Sequence, residues 1–112
     1  MPQSFDNVAG LLEQWGRERK ITTNGTVAGQ LTKGIEEANE GLRSIAALEA
    51  GEIDHATFDE RIEDDLGDFG VTFLMACFAA GKDPVAMLYV AHDEIKDRTG
   101  ELGADGIFYK DA

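Results

Sequence analysis

The feature that most constrains the fold is an apolar stripe that alternates steps of four and three residues. The stripe consists of Leu31, Ile35, Ala38, Leu42 and Ile45. This period places the side chains along one side of an α-helix, and it is typical of a helix packed lengthwise against another helix. We therefore predict a long helix over about residues 27–50, with Thr26 as its N-cap and Gly51 at its end.

Two further helices are predicted, one on either side of this one in the sequence. The first covers about residues 5–20 and has Ser4 as its N-cap. The other covers about residues 57–80, and its second half, residues 69–80, carries no charged side chain. Because a helical segment that is apolar on all sides is normally buried, we expect this half to be central or covered by a partner subunit.

A fourth helix is predicted to begin at Pro84, because aspartate, here Asp83, is a good N-cap and proline is favoured at the first helical position. It continues to about Arg98. Residues 21–25 are predicted to form a loop, residues 102–112 are predicted to form an irregular tail, and no strand is expected. The whole chain is thus predicted to be one all-α domain with the architecture of a four-helix bundle.

The composition argues against several classes of function. The chain has 10 Lys+Arg and 22 Asp+Glu, so its formal net charge is −12. Proteins that bind nucleic acid or an anionic membrane surface need an excess of cationic side chains, so neither partner is expected. An anionic substrate would need a bound cation between itself and the protein.

The cellular location of the protein is predicted from three features that its sequence lacks. No apolar run is long enough to cross a bilayer, and the first residues do not resemble a secretory signal. Cys77 is the single cysteine, which excludes an intramolecular disulfide. A reducing, cytoplasmic location is therefore expected.

Two pairs of carboxylates lie at helical spacing on the second and third predicted helices. The members of each pair are three residues apart and are therefore neighbours on a helix surface: Glu37 with Glu40, and Asp65 with Asp68. If the helices are antiparallel neighbours, the four carboxylates face each other and repel unless a hard cation such as Mg²⁺ or Mn²⁺ lies between them. The alternative is a solvated acidic face, since these glutamates and Glu36 lie opposite the apolar stripe.

Four segments carry motifs that occur together in one enzyme family. Residues 30–40 have the pattern Q-x-x-K-x-x-E-E-x-x-E, residues 65–68 read D-x-x-D, residues 94–100 read EIKDRTG and residues 106–111 read GIFYKD. In this order they resemble the short phage-type members of the MazG-like all-α nucleoside triphosphate pyrophosphohydrolases. Asp65 stands where that family usually has Glu, and Asp93 stands where many phage-type members have Asn.

The resemblance implies a house-cleaning enzyme that converts a (deoxy)nucleoside triphosphate and water to the monophosphate and pyrophosphate. It implies Mg²⁺ or Mn²⁺ as cofactor, a homodimer or homotetramer, and metal ligands at Glu37, Glu40, Asp65 and Asp68. The catalytic residues are expected to be Glu36, which orients or deprotonates the attacking water, together with Glu37 and Lys96. The residues expected to contact the nucleotide are Lys33, Lys96, Arg98, Lys110 and Trp15.

Alternatives remain open at the level of the sequence. A non-catalytic acidic helical protein that mimics DNA and occupies a basic groove of a partner would also need a strongly negative charge. A metal or nucleotide sensor with the same fold is a second alternative, which Asp65 keeps open. For Trp15 the alternative to base stacking is a core or interface position, and for Lys33 the alternative to phosphate contact is an isolated ion pair.

Overall fold

The computed structural model describes residues 3–112 as five helices followed by a two-stranded antiparallel sheet. The elements are α1 (Phe5–Glu18), α2 (Ile21–Asn24), α3 (Val27–Glu49), α4 (His55–Ala79), α5 (Pro84–Ile95), β1 (Gly100–Leu102) and β2 (Phe108–Lys110). The predicted all-α class is confirmed for the described part of the chain. Residues 1 and 2, which belong to the segment considered for a secretory signal, lie outside it.

The predicted capping residues lie at the helix ends. The side chains of Ser4, Thr26 and Asp83 accept hydrogen bonds from backbone N–H groups in the first turns of α1, α3 and α5. Beyond the ends of α3 and α4, Gly51 and Gly81 have φ angles of +73° and +70°, the left-handed conformation that terminates many helices. Capping chemistry therefore predicts these boundaries well.

The predicted loop at residues 21–25 is instead the short helix α2. The chain turns sharply between α1 and α2 at Lys20, which adopts a left-handed conformation with φ of +62°. The turn lets Ile21 pack against the core, where it contacts the cluster of buried residues. The sequence pattern missed α2 because four residues are too few to show helical periodicity.

The predicted irregular tail is wrong, because residues 100–110 form a β-hairpin. Gly100 pairs with Lys110 and Leu102 with Phe108. The hairpin turn is held by the carboxylate of Asp105, which accepts hydrogen bonds from the backbone N–H of Ile107 at 3.0 Å and from the hydroxyl of Tyr109 at 2.5 Å. Three-residue strands are too short to show a clear alternation of apolar and polar residues, so they were not predicted.

Helix α4 is the centre of the structure and packs against each of the other four helices. Its second half supplies most of the buried side chains, including Leu74 and Met75, which form the core with Ala9 of α1. Of the two alternatives predicted for this half, a central position is confirmed for Thr72 and for residues 74–77, whereas Phe69 and Phe73 are 44% and 38% exposed in the single chain.

Helix α5 leaves the end of α4 at an angle of 101° and makes few contacts with the other helices. Helix α5 is the predicted fourth helix, and it ends at Ile95 instead of near Arg98, whereas the additional fifth helix of the described chain is α2. Within residues 3–112 no single helix is long and apolar enough to cross a membrane, although the bent pair of α4 and α5 meets that test of length and composition when taken together.

The apolar stripe of α3 does not pack against another helix within the chain. Leu31, Ile35 and Leu42 are each about 60% exposed. Helix α3 instead turns small and polar residues toward α4. The buried residues on this side are Gly34, Glu37 and Ser44. The physical reason is close approach: a Cβ atom added at Gly34 would lie only 3.1 Å from the hydroxyl oxygen of Thr72.

We expect Gly16→Ala to destabilise the protein relative to Gly10→Ala. A Cβ atom at Gly16 would lie 2.6 Å from the sulfur of Met75, whose side chain is buried, whereas one at Gly10 would meet nothing within 4 Å. Both changes replace a glycine of α1 by alanine, so the difference in stability between the two variants reports the steric clash at Gly16. We expect this difference to be about 1–3 kcal/mol in the free energy of unfolding. Urea denaturation at equal protein concentration measures this difference, and equal stabilities would contradict the close packing of α1 on α4.

Candidate functional site

A cavity of about 760 Å³ lies where α1, α2, α3 and α4 meet. This volume is in the range of small-molecule sites, which is roughly 300–1,000 Å³. Its floor is formed by core residues of α4, including Val71 and Met75, and its polar wall by side chains of α3 and α4. Four of the predicted site residues line it together: Trp15, Lys33, Glu37 and Asp68.

Glu37 is the central polar residue of this cavity. It is only 8% exposed, because it lies on the side of α3 that faces α4. Its Oε1 atom lies 3.6 Å from the ammonium nitrogen of Lys33. Its Oε2 atom is buried and has no hydrogen-bond partner among the described residues. A buried carboxylate oxygen without a partner is unfavourable, so it marks a place where a ligand would be stabilising.

Asp68 faces the same cavity from α4. The pKa of its carboxyl group is raised above its ordinary value, first by partial loss of water on this side and then by nearby negative charges, those of Asp64, Glu37 and Asp65. The charge of Lys33 acts in the opposite direction. The cavity therefore carries more negative charge than its own side chains neutralise.

Lys33 supplies the nearest positive charge to these carboxylates. Its ammonium group is 3.5 Å from Glu36 and 3.6 Å from Glu37, both on its own helix. The carboxylates of Glu36 and then of Glu37 raise the pKa of Lys33. Lys33 thus forms ion pairs, which was one of the alternatives that the sequence left open. One of its two partners, Glu37, lines the cavity.

The predicted set of four metal ligands is divided between different surfaces. Asp65 lies beside Glu37 in a neighbouring apolar groove of about 290 Å³, and it does not line the larger cavity. Glu40 is exposed and lines neither space. Within residues 3–112 no group of three or more His, Cys, Asp or Glu side chains converges closely enough to hold a metal ion.

Ser44 is a polar partner that the sequence motifs did not indicate. Its hydroxyl group is buried and donates a hydrogen bond of 2.7 Å to the Oδ2 atom of Asp65. Ser44 lies one helical turn after Glu40, so its spacing places it near the acidic pairs, but serine is too common in helices for this spacing to be a signal. The bond fixes the orientation of the Asp65 carboxylate.

Trp15 lies at the edge of the cavity and is 40% exposed. The guanidinium carbon of Arg19 lies 4.6 Å from the centre of its ring, which is a cation–π contact. One face of the indole is therefore covered by Arg19, the C-cap residue of α1. The amide side chains of Asn24 and Gln30 also line the cavity. Gln30 begins the Q-x-x-K-x-x-E-E-x-x-E pattern of residues 30–40, whereas Asn24 lies in the segment that was predicted to be a loop.

The remaining predicted catalytic and phosphate-binding residues lie elsewhere in the described chain. Glu36 is exposed next to the cavity. Lys96 follows α5 and forms an ion pair of 3.0 Å with Asp93, and Arg98 and Lys110 are exposed at or near the hairpin. None of these four residues lines the cavity. For Lys96, Arg98 and Lys110 the reason is the sharp bend between α4 and α5, which directs the C-terminal segment away from α3.

In comparisons with known proteins, no protein-family model, no curated protein and no solved structure matches this chain.

We expect Ser44→Ala to lower the free energy of unfolding by about 1–2 kcal/mol, because it removes a buried hydrogen bond to a charged group. The matched control is Thr32→Ala on the same helix, whose exposed hydroxyl group bonds only to the backbone of Ala28. The control should change stability by less than about 0.5 kcal/mol. Urea denaturation of both variants checks this expectation, and equal effects would show that the Ser44–Asp65 bond does not contribute.

Proposed function

We propose that the protein is a Mg²⁺-dependent nucleoside triphosphate pyrophosphohydrolase, which converts a (deoxy)nucleoside triphosphate and water to the monophosphate and pyrophosphate. The observation that supports this most is the buried, unpartnered carboxylate oxygen of Glu37, in a cavity that it shares with Asp68. The motifs that resemble the MazG-like family supply the reaction and its role in nucleotide-pool cleansing. The cytoplasm, where nucleotides are made and used, is the proposed location.

The donor atoms of the cavity fit a hard divalent cation. Carboxylate oxygens are the ligands that Mg²⁺ and Mn²⁺ prefer, and the unpartnered oxygen of Glu37 would gain a partner. Glu37 and Asp68 would hold the ion. Glu40 and Asp65, the further ligands that the family resemblance implies, lie outside this cavity and would have to move toward it. When bound, the ion would supply positive charge that stabilises the negative charge developing on the phosphates.

The protein side chains contribute orientation and charge. Glu36, which is exposed and lies 3.5 Å from the ammonium group of Lys33, is proposed to hold the attacking water and accept its proton. Lys33, whose ammonium group lies 3.6 Å from Glu37, is proposed to contact a phosphate oxygen of the nucleotide. Trp15 is proposed to stack against the base with the face that Arg19 leaves open.

Lys96, Arg98 and Lys110 are proposed to contact the phosphates, with Lys96 also acting in catalysis. They lie outside the cavity in the single chain, so this role requires the C-terminal segment to move or to come from another copy. A homodimer or homotetramer, assembled as the all-α NTP pyrophosphatase type of helical bundle, is accordingly the proposed working form. No direct nucleic-acid or membrane partner is proposed.

A non-catalytic nucleotide sensor is the second candidate. It is favoured by the position of the three phosphate-binding residues outside the cavity and by the divided set of carboxylates. Such a protein would use the cavity to bind a nucleotide and would have no need for a complete group of metal ligands. An acidic DNA mimic, the other alternative, has no use for a buried carboxylate that faces a cavity.

The test is pyrophosphate release from a panel of ribo- and deoxyribonucleoside triphosphates, with Mg²⁺ and with EDTA. We expect release with Mg²⁺ alone, and a loss of about a hundredfold or more in Glu37→Gln, because removal of a single charge-stabilising contact in an active site typically costs that much. Glu49→Gln is the control, since it makes the same change at an exposed position of the same helix.

Two results would contradict the proposal. One is the absence of release from every nucleotide by a protein that circular dichroism shows to be folded, which would favour the sensor. The other is equal activity of Glu37→Gln and the wild type, which would remove Glu37 from the site.

A further inference from the structure

A second cavity, of about 530 Å³, lies between α1, α2 and the turn that joins α4 to α5. It shares no lining residue with the cavity that contains Glu37. Both cavities involve α2, but Thr22 and Thr23 line the second cavity, whereas Ile21 and Asn24 line the first. None of the four motifs that resemble the MazG-like family contributes to this lining, so the proposed reaction leaves the second cavity without a role.

Two cationic side chains reach the second cavity from different elements. Arg17 comes from the last turn of α1, and Lys82 comes from the turn that follows α4. The chain has 10 Lys+Arg against 22 Asp+Glu, so most of its surface repels an anion. Within residues 3–112 Lys82 forms no ion pair. Its ammonium group is therefore available to an anionic ligand.

The two carboxylates that line the second cavity are bonded within the chain. Glu13 accepts a hydrogen bond of 2.7 Å from one terminal nitrogen of the Arg17 guanidinium group. Asp83 is the N-cap of α5 and accepts a hydrogen bond of 3.0 Å from the backbone N–H of Val85. A guanidinium group has five N–H donors, so Arg17 keeps several of them for another acceptor. The donors left for a ligand are therefore these N–H groups and the ammonium group of Lys82.

Thr22 adds a hydroxyl group to these donors. Its methyl carbon faces α1, since a Cβ atom added at Gly16 would lie 3.1 Å from it. The hydroxyl group is the other branch on the Cβ atom of Thr22, so it points away from Gly16. Within residues 3–112 it forms no hydrogen bond, whereas the hydroxyl group of Thr23 donates one of 2.8 Å to Asn24. The lining of the second cavity thus offers donors from three separate elements.

We propose that the second cavity is a binding site for a small organic phosphate monoester. Donors from three elements match the three terminal oxygens of a phosphate group, whereas a carboxylate offers only two oxygens. The volume of the cavity is in the range of sites for small organic molecules, so the organic part of the ester also has room. Phe78 and the buried Pro84 provide the apolar contacts for this part.

The site is tested by titration of the protein with phenyl phosphate, followed by two-dimensional ¹H–¹⁵N NMR in the presence of EDTA. This probe combines a phosphate monoester with an aromatic ring. We expect saturable shifts of the backbone signals of Thr22, Phe78 and Lys82, and no comparable shifts at Lys33 and Glu37. The absence of saturable shifts at the first three residues would overturn the inference, as would shifts confined to the last two.

Two further probes test the chemical class of the ligand. Benzoate keeps the ring and a negative charge but has one oxygen fewer, and we expect it to bind about fivefold or more weakly than phenyl phosphate. Benzyl alcohol keeps the ring without the charge, and we expect it to bind more weakly still. Equal or tighter binding of either probe would overturn the assignment to a phosphate monoester.

Three variants test which side chains hold the phosphate. We expect Lys82→Gln to weaken binding of phenyl phosphate about tenfold, because it removes a hydrogen bond between charged groups. Thr22→Val keeps the methyl group that faces α1 and removes the hydroxyl group, so we expect about threefold weaker binding. The control is Lys20→Gln, which makes the same change at an exposed lysine outside the lining and should change binding less than twofold.

Equal effects of Lys82→Gln and Lys20→Gln would show attraction to the overall charge alone and would overturn the site. Unchanged binding by both Lys82→Gln and Thr22→Val would do the same. The inference does not rest on the proposed hydrolase activity, because none of the three residues belongs to the proposed metal or nucleotide site. A chain that binds phenyl phosphate here but releases no pyrophosphate would therefore contradict the proposed function alone.

Discussion

The close packing of α3 against α4 is the interaction on which the rest of the structure depends. Small residues such as Gly34 let the two backbones approach, and the Ser44–Asp65 hydrogen bond joins the helices farther along. Because α3 turns this side inward, Glu37 is carried into the interior with one carboxylate oxygen unpartnered. The same rotation leaves the apolar stripe on the outside. The buried position of Glu37 and the exposed position of the apolar stripe are thus two consequences of one orientation.

This orientation reverses the usual arrangement of an amphipathic helix. In most small domains the apolar side of a helix contacts the core and the charged side contacts water. In α3 the apolar side contacts water in the single chain, because α4 packs against the side of α3 that carries small and polar side chains. A helix with this reversal leaves much of its apolar surface in contact with water in the single chain.

The sequence predicts the helical elements better than it predicts their packing. Capping residues such as Ser4, Thr26 and Asp83 act locally, so they locate helix ends without any knowledge of the tertiary structure. The side of α3 that meets α4 depends on close approach at Gly34, which periodicity cannot show. For the site, spacing predicted four carboxylates that face each other between the two helices. Glu37 and Asp68 line one cavity, whereas Asp65 lines a neighbouring groove and Glu40 lines neither. Spacing did not predict Ser44 or the distance of Lys96, because both depend on how separate elements meet.

The floor of the cavity is also the core of the protein. Met75 is the most buried large side chain, and it belongs both to the core cluster and to the cavity lining, together with Val71. A molecule that fills the cavity therefore contacts the side chains whose packing holds α1 and α4 together. Occupancy would be felt as slower amide hydrogen exchange throughout these helices, including at backbone positions far from any ligand. Binding of a ligand in this cavity would therefore be coupled to opening of the core, because the ligand would contact the same side chains.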